Sequence, residues 1–498
     1  MNVINMNSQK MTNLDDVLVK FKLSGRYYIQ CLTLMSVAFM SNCINCQNYV
    51  FVAEKVSYRC KDADYRSESC TNINNGSEVC NEWVYDNPYS FMSEFQLACH
   101  EWKRTLVGTV HSCGYMIGLL IVGPLSDRWG RKLTVAVTGT IGGILGISKS
   151  FATSYWIYVT LEFMEAAIGN TGSPIFMLSI EIAAVEKRLM VVLITSMGYA
   201  SGFIAFPLAA WLVPYWRNLL RVLYGPPLLF IFYIFLLDES PRWLLSRGNK
   251  DGAVAILEKM AKYDKITIDK DVLENLTYEK NEDITLVQLL KQTITSRTLL
   301  KRLLICVVWW IASTFVNYGM QIHSVSLKGN KYINFSFLSI VEVISTIITI
   351  YTLSRFRRKK SLILNFLLAG LFCFIQPFIP SNINWLSIIV YMAGKLMSAT
   401  YFNITYVYTS ELFPTYTRNS MHALCSSLGR IGSIIAPQTP LLTVYWHGLP
   451  SLVFGLASLL AGMATLFAPD TADDALPDNV TQAEALGKKQ KKDPDSLF

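Results

Sequence analysis

The stretch Gly123-Pro-Leu-Ser-Asp-Arg-Trp-Gly-Arg-Lys132 sets four charges and two glycines between long apolar segments at about 105–122 and 133–152. Each neighbour is about long enough to cross a hydrocarbon core, which takes roughly 20 helical residues. A connection this short and this charged belongs at a membrane face, joining two spanning helices through a basic turn.

Working outward, 52% of the 498 residues are hydrophobic, 16% are charged and the mean hydropathy is +0.33; soluble domains carry roughly 25% charge. Apolar runs of spanning length fall near 27–47, 104–124, 133–152, 154–181, 189–213, 217–237, 302–322, 335–353, 361–379, 384–409, 420–443 and 448–468. They form two groups of six. Lipid offers no partner to backbone polar groups, so all twelve are read as helices. The fold class is an all-α, multi-pass membrane protein.

The opening residues 1–26 are polar and mixed in charge, with no apolar core followed by a cleavage site, so the first span is expected to act as an uncleaved insertion signal. Basic clusters recur in alternate loops: Arg128, Arg131 and Lys132; Lys187 and Arg188; Arg355, Arg357, Arg358, Lys359 and Lys360; and Arg418. The positive-inside rule makes those loops and both termini cytoplasmic. A cytoplasmic membrane face accounts for the net charge of +8, and no nucleic-acid partner is needed.

The resulting plan is a first bundle over 27–238, a linker over 239–300, a second bundle over 301–468 and a disordered tail over 469–498. The loop at about 48–103 falls outside the cell by parity. It holds Cys60, Cys70, Cys80 and Cys99, with Cys43 and Cys46 at the end of the first span, so six of eleven cysteines face an oxidising compartment. Asn75-Gly-Ser77 in the same loop is a glycosylation acceptor. In the linker, Ala253, Ile256, Leu257 and Met260 recur at helical spacing behind Asn249 as a cap, and Thr285-x-x-Gln288 opens a second helix. The linker reads as a latch between the two halves.

These residues resemble the organic cation, organic anion and carnitine transporter family (solute carrier family 22) of the major facilitator superfamily. The resemblance runs through Asp15-Asp16-Val-Leu18, Gly25-Arg-Tyr27, Cys80-Asn-Glu-Trp-Val-Tyr85, Ser93-Glu-Phe-Gln-Leu-Ala-Cys99, the 123–132 motif, Tyr215-Trp-Arg217, Glu239-Ser-Pro-Arg-Trp-Leu-Leu245 and Tyr408-Thr-Ser-Glu-Leu-Phe-Pro-Thr415 with Arg418-Asn419. It implies a plasma-membrane carrier that works by alternating access, with a central site between two helix bundles. It also implies a brace built on Gly123, Asp127, Arg128, Gly130 and Arg131, with Glu239, Arg242, Glu411 and Arg418 in the matching segments. Asp127 is placed to pair with Arg131, and Gly123 and Gly130 to allow close backbone approach. The second half should repeat the brace near 354–359, but Ser354-Arg-Phe-Arg-Arg-Lys359 lacks the leading acid and the glycine. In the fourth span Glu162 stands where the family carries arginine, and Ala166 where it carries glycine.

Charges placed within spans point to the cargo, because each costs about 2.5–3.5 kcal/mol to insert. Arg430 lies in Ser426-Ser-Leu-Gly-Arg-Ile-Gly-Ser-Ile434, at a position that resembles the arginine of anion and carnitine carriers. A guanidinium meets a carboxylate in two parallel hydrogen bonds. Glu342 aligns with the acidic position of cation and carnitine carriers, where it could hold an ammonium or pair with the arginine. Lys395 is similar to a family lysine, fitted equally to structural pairing or substrate contact. Tyr199, Trp310, Tyr401, Phe402 and Tyr406 offer aromatic faces to a quaternary ammonium. Asn317 replaces a tyrosine common among relatives. Together these residues favour a small organic ion as substrate, with carnitine-like zwitterions first, anions second and cations third.

No phosphate-cradling loop, nucleophile elbow or zinc-type cysteine pair is present, and His111, His323 and His422 lack metal-ligand spacing. No enzyme, cofactor or metal is expected. The expected partners are the organic ion, membrane lipid and, in coupled modes, co-transported Na+ or H+; exchange and uniport also fit. Two other readings are a sugar-porter-like carrier, which the cysteine-rich loop and Arg430 oppose, and a receptor or scaffold that no longer transports.

Overall fold

A computed structural model describes residues 12–61, 82–268, 273, 276–277, 296–327, 329–380, 382–413 and 418–470. Cys70, Cys80, Asn75, the expected helix at Thr285 and most of the tail lie outside the described residues. The side chain of Arg418 is outside them as well.

The described apolar runs are predominantly helical. The helices used below are α1 (Leu14–Leu18), α2 (Arg26–Gln47), α3 (Glu101–Trp129), α4 (Arg131–Lys149), α5 (Tyr155–Ile168), α6 (Gly172–Glu181), α7 (Arg188–Leu212), α8 (Trp216–Tyr224), α9 (Pro241–Ser246), α10 (Lys250–Asp264), α11 (Arg297–His323), α12 (Lys331–Arg355), α13 (Arg358–Ile375), α14 (Asn384–Glu411), α15 (Arg418–Ile435) and α16 (Leu449–Thr465). Among the described residues, seven helical stretches are long and apolar enough to cross a membrane.

Several expected spans are interrupted, and each break has a local cause. The fourth splits into α5 and α6 at Gly169-Asn170-Thr171. There the freed N–H of Gly172 donates to Asn170 Oδ1 at 3.0 Å and to Asn42 Oδ1 at 3.2 Å, so side chains satisfy backbone that lipid could not. The sixth passes into a 3-10 stretch at Pro226–Phe232 and the eleventh into one at Ala436–Val444. Prolines at 226, 227, 437 and 440 remove the donors that an α-helical ladder needs.

The decisive turn is tighter than its sequence suggests. α3 runs through Pro124 to Trp129 and α4 starts at Arg131, which leaves Gly130 alone between them, at φ +97° and ψ 160°. Only glycine adopts that conformation without strain. Gly123 corrects an expectation: a Cβ there would meet open space, so it supports no close approach.

Two compact units divide the chain. The first comprises residues 1–52, 84–96 and 113–282, and the second residues 53–83, 97–112 and 283–498. In the first unit α2 packs along α7, and α4 packs against α5 and α8. Leu14, Val17, Leu18 and Phe21, from the opening stretch that reads as merely polar, are fully buried in the same cluster as Leu257 and Met260 of α10. Asn249 caps α10 by accepting from the Gly252 N–H at 2.9 Å. In the second unit α11 packs against α14, α15 and α16, and α13 against α14 and α16.

Candidate functional site

In the second unit α11, α12, α14 and α15 bring most of the sequence-derived site residues together. Ser296 starts α11 by capping the Leu299 N–H at 3.3 Å. Near the far end of this helix, the consecutive residues Asn317 and Tyr318 serve two different charges. The Lys395 ammonium of α14 lies 2.9 Å from Glu342 Oε2 of α12, donates to the Asn317 carbonyl at 3.1 Å and hydrogen bonds to Asn317 Oδ1. The Asn317 amide in turn donates to Glu342 Oε1 at 3.4 Å. Both carboxylate oxygens of Glu342 are therefore engaged. The residue next along, Tyr318, accepts from Arg430 Nη1 at 3.3 Å through its hydroxyl.

An aromatic group gathers around Trp310, two turns earlier on α11. The Trp310 ring lies 4.4 Å from that of Tyr406, 5.2 Å from His422 and 6.2 Å from Phe402, and its indole N–H donates to Thr409 Oγ1 at 3.1 Å. The backbone of Gly429, next to Arg430, passes so close to Trp310 that a Cβ would lie 2.8 Å from the tryptophan Cβ. The charged and aromatic groups thus share one region of α11, α14 and α15. The arrangement can hold a carboxylate on guanidinium and hydroxyl while apolar or cationic parts of the same molecule lie on ring faces. Tyr199 falls in the first unit, packed with Phe39 at 6.5 Å and Phe203 at 5.4 Å.

The brace residues of the first unit form a continuous charged network. Arg131 lies 2.8 Å from both Asp127 and Glu181 and also donates to the Ser126 carbonyl at 2.9 Å. These acids raise the Arg131 pKa against the opposing effect of burial. Glu239 accepts from the N–H groups of Arg131 at 2.9 Å and Lys132 at 3.2 Å, capping α4 where the helix dipole favours a negative charge. Burial nonetheless keeps its pKa above the usual 4.5, outweighing those bonds and Arg131. Arg242 donates to the carbonyls of Glu181 at 3.0 Å and Ala183 at 3.2 Å and pairs with Asp15. Arg128 is exposed.

The second unit keeps a reduced version of this network. Arg358 pairs with Glu411 at 3.2 Å, as Arg131 pairs with Glu181, while Lys359 donates to the carbonyls of Leu466 and Ala468 at 2.8 Å each. Among the described residues no acid takes the place of Asp127, and Ser354 stands at that position.

Three arrangements escape sequence reading. Lys149 sits fully buried 2.9 Å from Glu162, 3.3 Å from Glu165 and 3.1 Å from the Tyr224 hydroxyl, and Asn48 donates to Glu162 at 3.1 Å. Lys149 lies at the end of a span, where it reads as an interface lysine, and nothing in the sequence aligns it with a carboxylate 13 residues on. Glu94 joins two separate motifs, accepting from Arg217 at 2.7 Å and from the Tyr215 hydroxyl at 3.1 Å. Glu181 is not marked by any motif. Cys60 and Cys99 are each disulfide-bonded.

The family model for "Sugar (and other) transporter" matches residues 30–476. An "Organic cation transporter protein" of Drosophila melanogaster is 31% identical over 463 residues, covering 88% of this chain and 82% of that protein. The chain belongs to solute carrier family 22 of the major facilitator superfamily. "Solute carrier family 22 member 1" of Bos taurus is 30% identical over 420 residues, covering 84% of this chain and 74% of its own. The fold is that of the xylose transporter of E. coli in its inward open conformation, with a TM-score of 0.60 at 18% identity over 92% of this chain and 98% of the other. This family member is thus a multi-pass carrier protein of a transporter family, not an enzyme.

Proposed function

We propose that the protein moves small organic ions bearing a carboxylate across the plasma membrane, with carnitine-like zwitterions and organic anions ahead of simple cations. The relatives named as organic cation transporters support organic ions as the cargo class. The observation that carries the finer reading is Arg430, held 3.3 Å from the Tyr318 hydroxyl beside the Trp310 and Tyr406 rings. A guanidinium placed in a spanning helix is costly unless it serves a ligand or a fixed partner. It offers a bidentate seat for carboxylate, and the neighbouring rings suit an apolar or quaternary ammonium body. Glu342 is shared with Lys395, so the carboxylate end supplies most of the orientation. The basic loops support cytoplasmic termini, which puts Gly130 and the brace on the inner face.

Uptake of labelled carnitine, hippurate and tetraethylammonium by cells expressing the chain tests this reading, with Arg430→Asp alongside. Carnitine or hippurate uptake should exceed tetraethylammonium uptake and should vanish in the variant. Carboxylate uptake that survives Arg430→Asp at equal surface abundance excludes Arg430 as the seat. Coupling to Na+ or H+ is read in the same cells by replacing sodium with choline and by varying external pH.

A further inference from the structure

We propose that a groove between α2 and α7 of the first unit binds an anionic glycerophospholipid, with one acyl chain along the groove and the phosphate on Lys22 and Arg26. The site does not involve Arg430 and is independent of the cargo reading.

The groove holds about 410 Å³, with Ile29, Thr33, Val37 and Met40 on the α2 side and Gly198 and Ser201 on the α7 side. Its floor is tight packing of backbone, since a Cβ on Gly198 would lie 2.4 Å from the Ser36 carbonyl oxygen. Arg26, Ile29, Thr33, Val37 and Met40 recur at spacings of three and four, which makes them one face of α2. At 1.5 Å per residue, Ile29 to Met40 spans about 17 Å. That is close to one leaflet, half of a hydrocarbon core about 30 Å thick. The groove therefore has the length of a single lipid chain and begins one turn beyond a guanidinium.

Its lining asks for an apolar occupant. The Thr33 hydroxyl donates to the Ile29 carbonyl at 2.8 Å and the Ser201 hydroxyl to the Gly198 carbonyl at 2.7 Å, so both are satisfied within their own helices. Ile29 and Val37 are 53% and 42% exposed, on a helix of spanning length. Apolar surface exposed at that depth, with no polar group left wanting a partner, suits hydrocarbon better than water.

The charges decide which lipid. Leu23 lines the groove and Lys22 precedes it in sequence. Lys22 and Arg26 are exposed, and among the described residues neither side chain makes an ion pair or a hydrogen bond. Asp264 accepts from the Tyr27 N–H at 3.4 Å, which leaves these two side chains, rather than the start of α2, to meet a phosphate. Each basic side chain at a membrane surface raises affinity for anionic lipid roughly fivefold. Under the basic-loop reading they face the inner leaflet, where anionic lipid is concentrated.

The probe is a phosphatidylserine with a diazirine on its acyl chain, placed with the full-length protein in phosphatidylcholine nanodiscs. These present lipid at both faces, so the result does not depend on orientation. After illumination, adducts mapped by mass spectrometry should concentrate in residues 23–40 and 194–201. The matching diazirine phosphatidylcholine should label these peptides about tenfold less or weaker still. Lys22→Gln with Arg26→Gln should lower phosphatidylserine labelling by about tenfold or more. Ser201→Phe, which fills the groove, should abolish it and leave adducts elsewhere unchanged. Equal labelling by the two probes, undiminished in the charge variant, makes the groove ordinary lipid-solvated surface and overturns the inference. Adducts confined to other helices overturn it as well, as does displacement of the probe by cholesterol, which assigns the groove to a sterol. If a variant is not obtained as folded protein, the two probes on the wild type decide, and equal labelling overturns the inference.

Discussion

Lys149 places its ammonium 2.9 Å from Glu162 Oε2, with both side chains fully buried. Glu162 lies in the fourth span, and Lys149, at the end of the third, supplies the cation that pairs with it. Charge at this depth survives only when it is paired and hydrogen bonded. Tyr224 at 3.1 Å and Asn48 at 3.1 Å complete the set. Lys149→Met should cost about 3–5 kcal/mol, the loss typical of breaking a buried pair. The double change Lys149→Met with Glu162→Gln should cost less than the single one, because it leaves fewer unpaired charges. Thermal unfolding of detergent-purified protein checks the order, and a double variant no more stable than the single one would argue against the pairing as a stabilising unit.

Gly130 at φ +97° and ψ 160° sits where any Cβ would strike the Glu239 carboxylate. Gly130→Ala should therefore destabilise by about 1–3 kcal/mol through backbone strain alone. It should also dislodge Glu239 from the start of α4. Gly123→Ala, which meets open space, should leave the melting temperature unchanged, and this contrast within one motif is the measurement.

Asp15 titrates below its usual 3.8 because the hydrogen bond and charge of Arg242, the Val185 N–H and Arg188 together outweigh the opposing effect of burial. A lowered folded-state value means that its contribution is complete above 3.8 and disappears as pH falls through the folded-state pKa. Docking of α1 should thus be insensitive to pH from about 5 to about 8. Asp15→Asn should loosen it throughout that range, read as faster proteolysis near residues 12–23 without loss of the helical signal. Equal proteolysis of variant and wild type would show that Leu14, Val17, Leu18 and Phe21 hold the segment unaided.

Thr105 and Thr109 of α3 meet Gln438 within the second unit: Thr105 donates to the Gln438 carbonyl at 2.9 Å and the Gln438 amide donates to Thr109 at 2.6 Å. Thr109 also donates to the Ile434 carbonyl at 3.2 Å. A cross-link here tests whether this contact within the second unit moves during transport. Cysteines at Thr109 and Gln438 should cross-link under mild oxidation and stop uptake, and reductant should restore it. A cross-linked protein that still transports at full rate would mean that this contact is static.

Much of the architecture was legible from residues alone. Hydrophobic length marks spanning helices because lipid penalises every unpaired backbone group, and that penalty is local. The motif order marked the family, and Asn249 was readable as a cap because capping involves only neighbours in sequence. The breaks at 169–171, 226–232 and 436–444 were harder to read. An apolar run stays apolar across a glycine or proline, and satisfaction of the freed groups depends on distant residues such as Asn42.

The sequence by itself determined that this is a helical, multi-pass carrier of its family, and it listed the charged residues worth asking about. Only the tertiary structure decided which charges meet: Glu342 with Lys395, Glu162 with Lys149, Glu181 with Arg131. Helix length and hydropathy act over consecutive residues and can be read in order along the chain. Ion pairing depends on distances of about 3–4 Å between residues 13 to 53 positions apart, and those distances exist only once the helices have packed.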